Sequence, residues 1–569
     1  MHPPVIPRRI GVFIIINNGA RRWRSNPPFA YAFWRVSSPW QNADADGKGS
    51  ASGYSLPLMK RTLFSIRFAL LALVPALPDA VAAAEKGAWI AIVAPGLQKE
   101  IEPLAAARKS DGWEVSVIPA TADTAPAMQQ IATLAAKMQP ACVVLFGDFG
   151  GARDTSVPAG KGMQLRMKDK PTDLPWSACA QVAALEVGRL PARNPAEARA
   201  MVKKILAWPE AVPAKEPFPV ARLLAGHHAA PPAFEKIADN MTNTLTVRLI
   251  SRLPPAWLTE AAIHVDGSPW QVSGNDVRTA AVRMMSSHCT LLAYMGHSGP
   301  DAAVSKSAVM FEAPAWRARP DNSPRPGLFF TCGCHSCQIN PELESYSLAA
   351  IRSAGGPPAV IGAEGESWAA MGYLAMSGLT NGLAENPAMS RVGEFWRAAF
   401  QGIEKGEISA TEFAMFDMAD GTQGKVPLEQ QRLEHLEMWM LLGDPAMPLM
   451  PPPIAVKIDQ PAAPVAGKPL TITGTVPDNL SGVPLRVTFE RHPSTIPDGL
   501  PEVPAAGAER LKTVRERNRL ATDVVLASAE VKAAEGKFSA TLTLPAALPA
   551  KPWTVRVAGP GAGGVLQVK

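Results

Sequence analysis

From Trp89 onward the chain alternates continuous apolar runs with amphipathic stretches. Trp89-Ile90-Ala91-Ile92-Val93 is followed by Leu97 to Lys109 at helical spacing, then by Val115-Ser116-Val117-Ile118 after Gly112. A second amphipathic stretch, Met128 to Met138, leads to Cys142-Val143-Val144-Leu145-Phe146-Gly147-Asp148. Apolar runs without polar alternation belong to strands covered on both faces, so the pattern predicts βαβαβ and a parallel sheet flanked by helices. Ala183 to Gly188 predicts a further buried strand ended by a turn at Gly188-Arg189-Leu190-Pro191. Pro195 to Trp208 predicts a helix with Asn194 as N-cap. Residues 210–280 alternate less clearly, with Val220 to Ala225 as a strand candidate and Asp276 to Met285 as a helix candidate.

Two later runs end in reactive side chains: Thr290 to Met295 closes on Gly296-His297, and Leu328 to Thr331 closes on Cys332-Gly333-Cys334. Parallel strands deliver their C-terminal residues into the crevice above the sheet, where α/β proteins bind ligands. A helix at Leu343 to Ala354, a strand at Ala359 to Gly362 and helices across 391–440 continue the α/β pattern to Leu442-Gly443-Asp444-Pro445. Pro451-Pro452-Pro453 then marks a boundary. Beyond it come short alternating strands, such as Leu470 to Gly474, Leu485 to Phe489 and Phe538 to Leu544, which suit an immunoglobulin-like β-sandwich. The expected organisation is an α/β subdomain over 85–210, a second over 211–450 and the sandwich over 454–569, the sandwich closing its own core.

Composition alters this picture mainly at the N-terminus. The chain has 569 residues, 47% of them hydrophobic, and a formal net charge of +6. Residues 1–84 hold ten of the 56 Lys and Arg but three of the 50 Asp and Glu, leaving 46 bases against 47 acids in 85–569. The remainder lacks a basic footprint, which excludes a nucleic-acid partner. Met59-Lys60-Arg61, the apolar run Phe68 to Leu77 and Ala80-Val81-Ala82-Ala83-Ala84 read as a signal peptide over 59–84. The run is about half the ~20 residues of a spanning helix, so no stable transmembrane anchor is expected. A secreted or periplasmic product cleaved at Ala82 or Ala84 is expected instead. Residues 1–58 show no sustained periodicity and read as a spurious or disordered extension before a start at Met59.

Six cysteines are too few for a disulfide scaffold in a chain this long, and three of them crowd at Cys332, Cys334 and Cys337. Cysteine peptidases need a thiol nucleophile, an imidazole within hydrogen-bond reach and backbone N–H donors for the oxyanion. His297 and Cys334, each just past a buried strand, are the candidate acid/base and nucleophile, and glycines at 296 and 333 allow close backbone approach. Two other chemistries use the same cluster. Cys332, Cys334, His335 and Cys337 are metal-ligand types, but four ligands within six residues do not readily surround one tetrahedral ion, and no metal or other cofactor is expected. Cys334-x-x-Cys337 has the spacing of a thiol–disulfide oxidoreductase, although such a unit is smaller than this domain and has no use for His297.

A hydrophobic block ending in Tyr294-Met-Gly296-His297 and a second ending in Gly333-Cys334 resemble the caspase-like clan and, within it, the gingipain-type cysteine peptidases. Leu145-Phe146-Gly147-Asp148, Val187-Gly188-Arg189-Leu190-Pro191, Val360-Ile361, Ser367-Trp368 and Leu442-Gly443-Asp444-Pro445 occur in the order of that family, over about residues 88–450. The resemblance implies a cysteine endopeptidase acting on protein or peptide substrates. It implies Cys334 as nucleophile, His297 as catalytic histidine and Trp368 as a wall of the pocket for the residue preceding the scissile bond. The sequence departs from the family at three points. Ser298-Gly299 follows His297 where glycine is usual, moving the oxyanion N–H to Ser298 or Gly299. Ala184 replaces an expected acid, leaving Glu186 to orient the histidine. Cys332 stands where an apolar residue is usual. These departures also fit a non-catalytic binding homologue.

Overall fold

The computed structural model describes residues 86–569 apart from 151–153, 181–184, 212–216, 228–234, 307, 341, 423, 451–452 and 569. The expected extension, the signal peptide, Ala184 and Pro451-Pro452 lie outside the described residues.

The apolar runs form the strands β1 (Ala88–Val93), β2 (Glu114–Pro119), β3 (Ala141–Phe146), β4 (Leu185–Leu190), β5 (Val220–Ala225), β6 (Leu258–Ile263), β7 (Cys289–Met295), β8 (Pro326–Thr331), β9 (Ala359–Ala363) and β10 (Trp439–Leu442). Every residue of β1, β3, β8, β9 and β10 is buried, as strands covered on both faces require. The covering helices are α1 (Gln98–Ser110), α2 (Ala125–Lys137), α3 (Pro195–Ala211), α4 (Glu235–Arg252), α5 (Asp276–Met285), α6 (Tyr346–Arg352), α7 (Ala369–Glu385), α8 (Val392–Lys405), α9 (Ala410–Asp420) and α10 (Leu428–Met438). Helix α8 shows why they dock: Val392, Phe395, Trp396, Ala399 and Ile403 recur at helical spacing on its buried face. Asn194 caps α3 as expected, its side-chain oxygen accepting from the Glu197 N–H at 3.0 Å.

The ten strands form one sheet in the order β2-β1-β3-β4-β10-β9-β8-β7-β5-β6. Neighbours within β1–β4 are parallel, as are neighbours within β5–β9. Strand β10 runs antiparallel to β9 and bridges β4 in parallel, so the two parallel halves run in opposite directions. The last strand of the α/β region thus joins the halves into one sheet. The turn expected at Gly188-Arg189-Leu190 is instead the end of β4, with Arg189 and Leu190 in register with Leu145 and Phe146. Arg189 is fully buried because its guanidinium bonds Asp173 at 2.9 and 2.6 Å and the carbonyls of Gly147, Asp148 and Val157. A charged residue that looked like a turn is therefore part of the core.

The C-terminal region is a two-sheet sandwich of β11 (Pro469–Thr475), β12 (Pro484–Arg491), β13 (Val525–Lys532), β14 (Lys537–Thr543), β15 (Trp553–Gly559) and β16 (Ala562–Val568) with two short strands. β16, β15, β12 and β13 lie in one sheet and β11 and β14 in the other, and Leu470, Ile472, Phe538, Leu542, Leu485, Val487, Phe489, Val555 and Val557 fill the space between. The alternation in β11 and β14 is strict, one residue buried and the next exposed. One element departs from the expected all-strand pattern: α11 (Ala508–Thr522), inserted between β12 and β13. It lies on edge strand β6, where Ala521 joins the α/β core and Asn518 donates to the Trp270 carbonyl at 2.9 Å. Arg556 of β15 bonds the Pro255 and Ala256 carbonyls, both at 2.9 Å. The sandwich residues thus form a buried cluster of their own, and α11 adds Ala521 to that of the α/β region.

Candidate active site

The register of β7 and β8 brings the two reactive ends together. Thr331 pairs with Tyr294, and the Cys332 N–H donates to the Tyr294 carbonyl at 2.8 Å. Each chain then runs three residues further, one to His297 and the other to Cys334. Both line one cavity of about 280 Å³, with Cys332, Ser367, Trp368, Tyr373, Phe416 and Asp420 among its other walls. Cys332 and Cys334 share the cavity, although the strand has ended and the chain bends at Gly333 between them. Their partners differ: the Cys332 sulfur faces the Gly372 carbonyl and the Cys334 sulfur the Ser367 carbonyl, each at 3.7 Å.

Two glycines are demanded by close approach. A Cβ on Gly333 would stand 2.1 Å from the Ser298 hydroxyl oxygen. Gly296 has φ of +153°, and a Cβ there would stand 2.6 Å from the Tyr294 hydroxyl. That hydroxyl donates to the His297 carbonyl at 2.7 Å and also lies 3.1 Å from the Val304 carbonyl. Ser298 donates its hydroxyl to the Cys334 carbonyl at 2.6 Å, tying the histidine segment directly to the cysteine segment. Immediately after Cys334, His335 adopts a left-handed φ of +55°, which turns the chain sharply at the thiol.

Burial, and secondarily the nearby His227, lowers the His297 pKa below the ordinary imidazole value. Burial likewise raises Cys334 above the ordinary thiol value, the hydrogen bond to the Ser367 carbonyl and, less, the Arg166 charge opposing it while Glu366 and Asp420 add to it. Both shifts favour the uncharged form, so at neutral pH the resting pair is a thiol and a neutral imidazole. Burial raises Cys332 much further and pushes Cys337 up to about 12.

The remaining expected residues fall in different places. Trp368 lines the cavity as the cap residue of α7. Glu186 is not brought to His297: it is buried on β4, four strands from β7, and bonds Arg391 at 2.8 Å with Arg397 and Cys142 nearby. At ~4.8 Å per strand that separation is roughly 19 Å. Gly299 does not offer its N–H to the cavity, because it donates to the Ala302 carbonyl at 2.9 Å. The same pairing leaves Ser298 as the non-hydrogen-bonded position opposite Ala303, with its N–H directed away from that strand. All six cysteines are free thiols, and Cys337 is turned toward Ser336, Ser347 and Gly362 rather than into the cavity. Among the described residues no group of three or more His, Cys, Asp or Glu side chains forms a metal site.

One wall residue carried no signal in the sequence. Asp420 closes α9, accepts the Ala369 N–H at 2.9 Å, and is raised by burial to about 7. An acid at a helix end looks like an ordinary solvated residue, and only the packing of α9 against α7 turns it inward.

The family model of peptidase family C25 matches residues 82–450. No curated protein sequence matches the chain. Similar solved structures include the Arg-specific cysteine proteinase gingipain R, at 15% identity and TM-score 0.47 over 86% of this chain and 100% of that one. A structure described only as a protease has 14% identity and TM-score 0.48 over 84% of this chain and 96% of that one. A complex of Porphyromonas gingivalis RgpB pro- and mature domains has 14% identity and TM-score 0.46 over 85% and 100%.

Proposed function

Since the chain belongs to peptidase family C25, we propose that it is an active cysteine endopeptidase with Cys334 as nucleophile and His297 as acid/base. The observation that carries this reading is that the two side chains, from the ends of adjacent strands, line one cavity. Because the pair rests uncharged, His297 takes the thiol proton as Cys334 attacks the peptide carbonyl, forming a thiolate only as it is consumed. The C–S bond forms, the carbonyl oxygen becomes an oxyanion, and the Ser298 N–H, directed away from its hairpin partner strand, is the proposed backbone donor on the histidine side. His297 then gives its proton to the departing amine, leaving a thioester. Water, deprotonated by the same imidazole, hydrolyses the thioester and returns the thiol. Trp368, Tyr373 and Phe416 form an aromatic wall for the side chain preceding the scissile bond.

Among the described residues no helix is long and apolar enough to cross a membrane. Export through the leader at 59–84, giving a mature chain that begins near Lys86, belongs to the same proposal, and N-terminal sequencing of exported protein tests it. The placement of β12, β15 and β16 opposite β11 and β14 supports the immunoglobulin-type reading of the sandwich. The activity itself is tested with a fluorogenic peptide library varied at the residue before the scissile bond. Hydrolysis by the mature chain and none by Cys334→Ala is expected; equal hydrolysis by both overturns the assignment.

A further inference from the structure

Helix α10 carries two charged or polar residues, Glu434 and His435, that are fully buried behind the cavity wall. Glu434 accepts four N–H groups: the backbone, Nε and Nη2 of Arg166 at 2.9, 2.9 and 2.8 Å, and Nε1 of Trp368 at 2.8 Å. Burial raises the Glu434 pKa, but the Arg166 hydrogen bonds and charge outweigh it and leave the carboxylate below its ordinary value. The Arg166 guanidinium also lies over the Trp368 ring, 3.6 Å from its centre. His435 has Nδ1 at 2.8 Å from the Gln431 carbonyl, which places its proton on Nδ1. Its Nε2 therefore accepts, and receives the Trp368 backbone N–H at 2.9 Å and the Ser367 hydroxyl at 3.2 Å. Burial holds the ring neutral, with a pKa down to about 3.

These contacts converge on two residues of the cavity. Trp368 is fixed at its ring face, indole N–H and backbone N–H, and Ser367 supplies the carbonyl that the Cys334 thiol faces. Arg166, Glu434 and His435 are not themselves among the cavity's lining residues. Apolar packing alone would hold α10 in place without enclosing a carboxylate and an imidazole, whereas a fully satisfied polar network fixes orientation. We propose that Arg166, Glu434 and His435 are positioning residues that set the aromatic wall at Trp368 and thereby govern which substrate side chain is accepted. This rests on the peptidase reading above. The three residues act on substrate binding; on the thiol, Arg166 exerts only the smallest of the influences on its pKa, so the thiol–imidazole chemistry persists without them.

The test compares the wild type with Arg166→Met and with the double variant Arg166→Met/Glu434→Gln, which removes the carboxylate charge that the single variant leaves buried. Fluorogenic peptides varied before the scissile bond give kcat and KM, iodoacetamide gives the reactivity of Cys334, and thermal unfolding gives Tm. Both variants are expected to raise KM for the best substrate about tenfold and flatten side-chain preference, with kcat and alkylation changed less than about threefold. The double variant recovers the Tm lost in the single one but not its KM. Unchanged KM and preference in both variants, or a KM that recovers together with Tm, overturns the inference alone. A wild type that neither hydrolyses the peptides nor is labelled at Cys334 by a peptidyl electrophile overturns the peptidase reading and this inference with it.

Discussion

Asp420→Asn should stabilise the protein, and by an amount that grows with pH. Asp420 has an ordinary carboxyl pKa of 3.8 when unfolded and about 7 in the fold, where burial is the main cause. Below 3.8 both states are protonated and the carboxyl costs nothing. As pH rises the unfolded carboxyl ionises first, so the stability present below 3.8 is progressively lost, and the loss is complete above about 7. Three pH units at ~1.4 kcal/mol each give roughly 4 kcal/mol as an upper bound. Partial exposure of the side chain at the cavity reduces this to about 2 kcal/mol. Asparagine keeps the oxygen that accepts the Ala369 N–H and cannot ionise. The assay is thermal unfolding of wild type and variant at pH 4.5 and pH 8. The expected gain in Tm is about 1 °C or less at pH 4.5, where roughly a quarter of the effect is present, and about 2–4 °C at pH 8. A gain that is equal at the two values, or larger in acid, refutes the burial of an unpaired carboxyl in this wall.

Three other outcomes follow from the geometry. Because Cys334 rests as a thiol above its ordinary pKa of 9.0, its alkylation by iodoacetamide should accelerate as pH rises through and beyond 9; fast, pH-independent alkylation between pH 6 and 8 would mean a preformed thiolate–imidazolium pair. Gly333→Ala should cut kcat/KM at least tenfold with Tm little changed, since the added methyl displaces the Ser298 hydroxyl from the Cys334 carbonyl; wild-type kinetics would show that this tie is dispensable. Arg556→Ala should cost about 3 kcal/mol in chemical denaturation, because it leaves Glu490 buried without its partner and frees the Pro255 and Ala256 carbonyls; a loss under 1 kcal/mol would show the sandwich to be loosely docked.

The sequence was legible where one physical rule acted alone. Continuous apolar runs marked the central strands because both sheet faces are covered, and His297 and Cys334 were visible because each directly follows such a run. What could not be read depends on distant partners. Arg189 resembles a turn residue until Asp173 and three carbonyls surround it. Glu186 shares a strand with residues of the family pattern, yet the strand order sets it four strands from β7, where it pairs with Arg391. Gly299 looked available until its hairpin partner, Ala302, was in place. Helix α11 was hidden because its exposed face carries most of its charge and only two of its residues, Val514 and Ala521, are buried. Asp420, Glu434 and His435 lie on helices whose sequences give no sign that these positions face inward.

The central claim is that Cys334 attacks a peptide carbonyl with His297 as its proton acceptor. It is tested most directly by treating the mature chain with peptidyl electrophiles carrying the side chain preferred in the library screen, then locating the adduct by mass spectrometry. A single adduct on Cys334, retained in Cys332→Ala, abolished in Cys334→Ala and slowed at least a hundredfold in His297→Ala, is the predicted result. An adduct on Cys332, or labelling of Cys334 that is indifferent to His297, contradicts it.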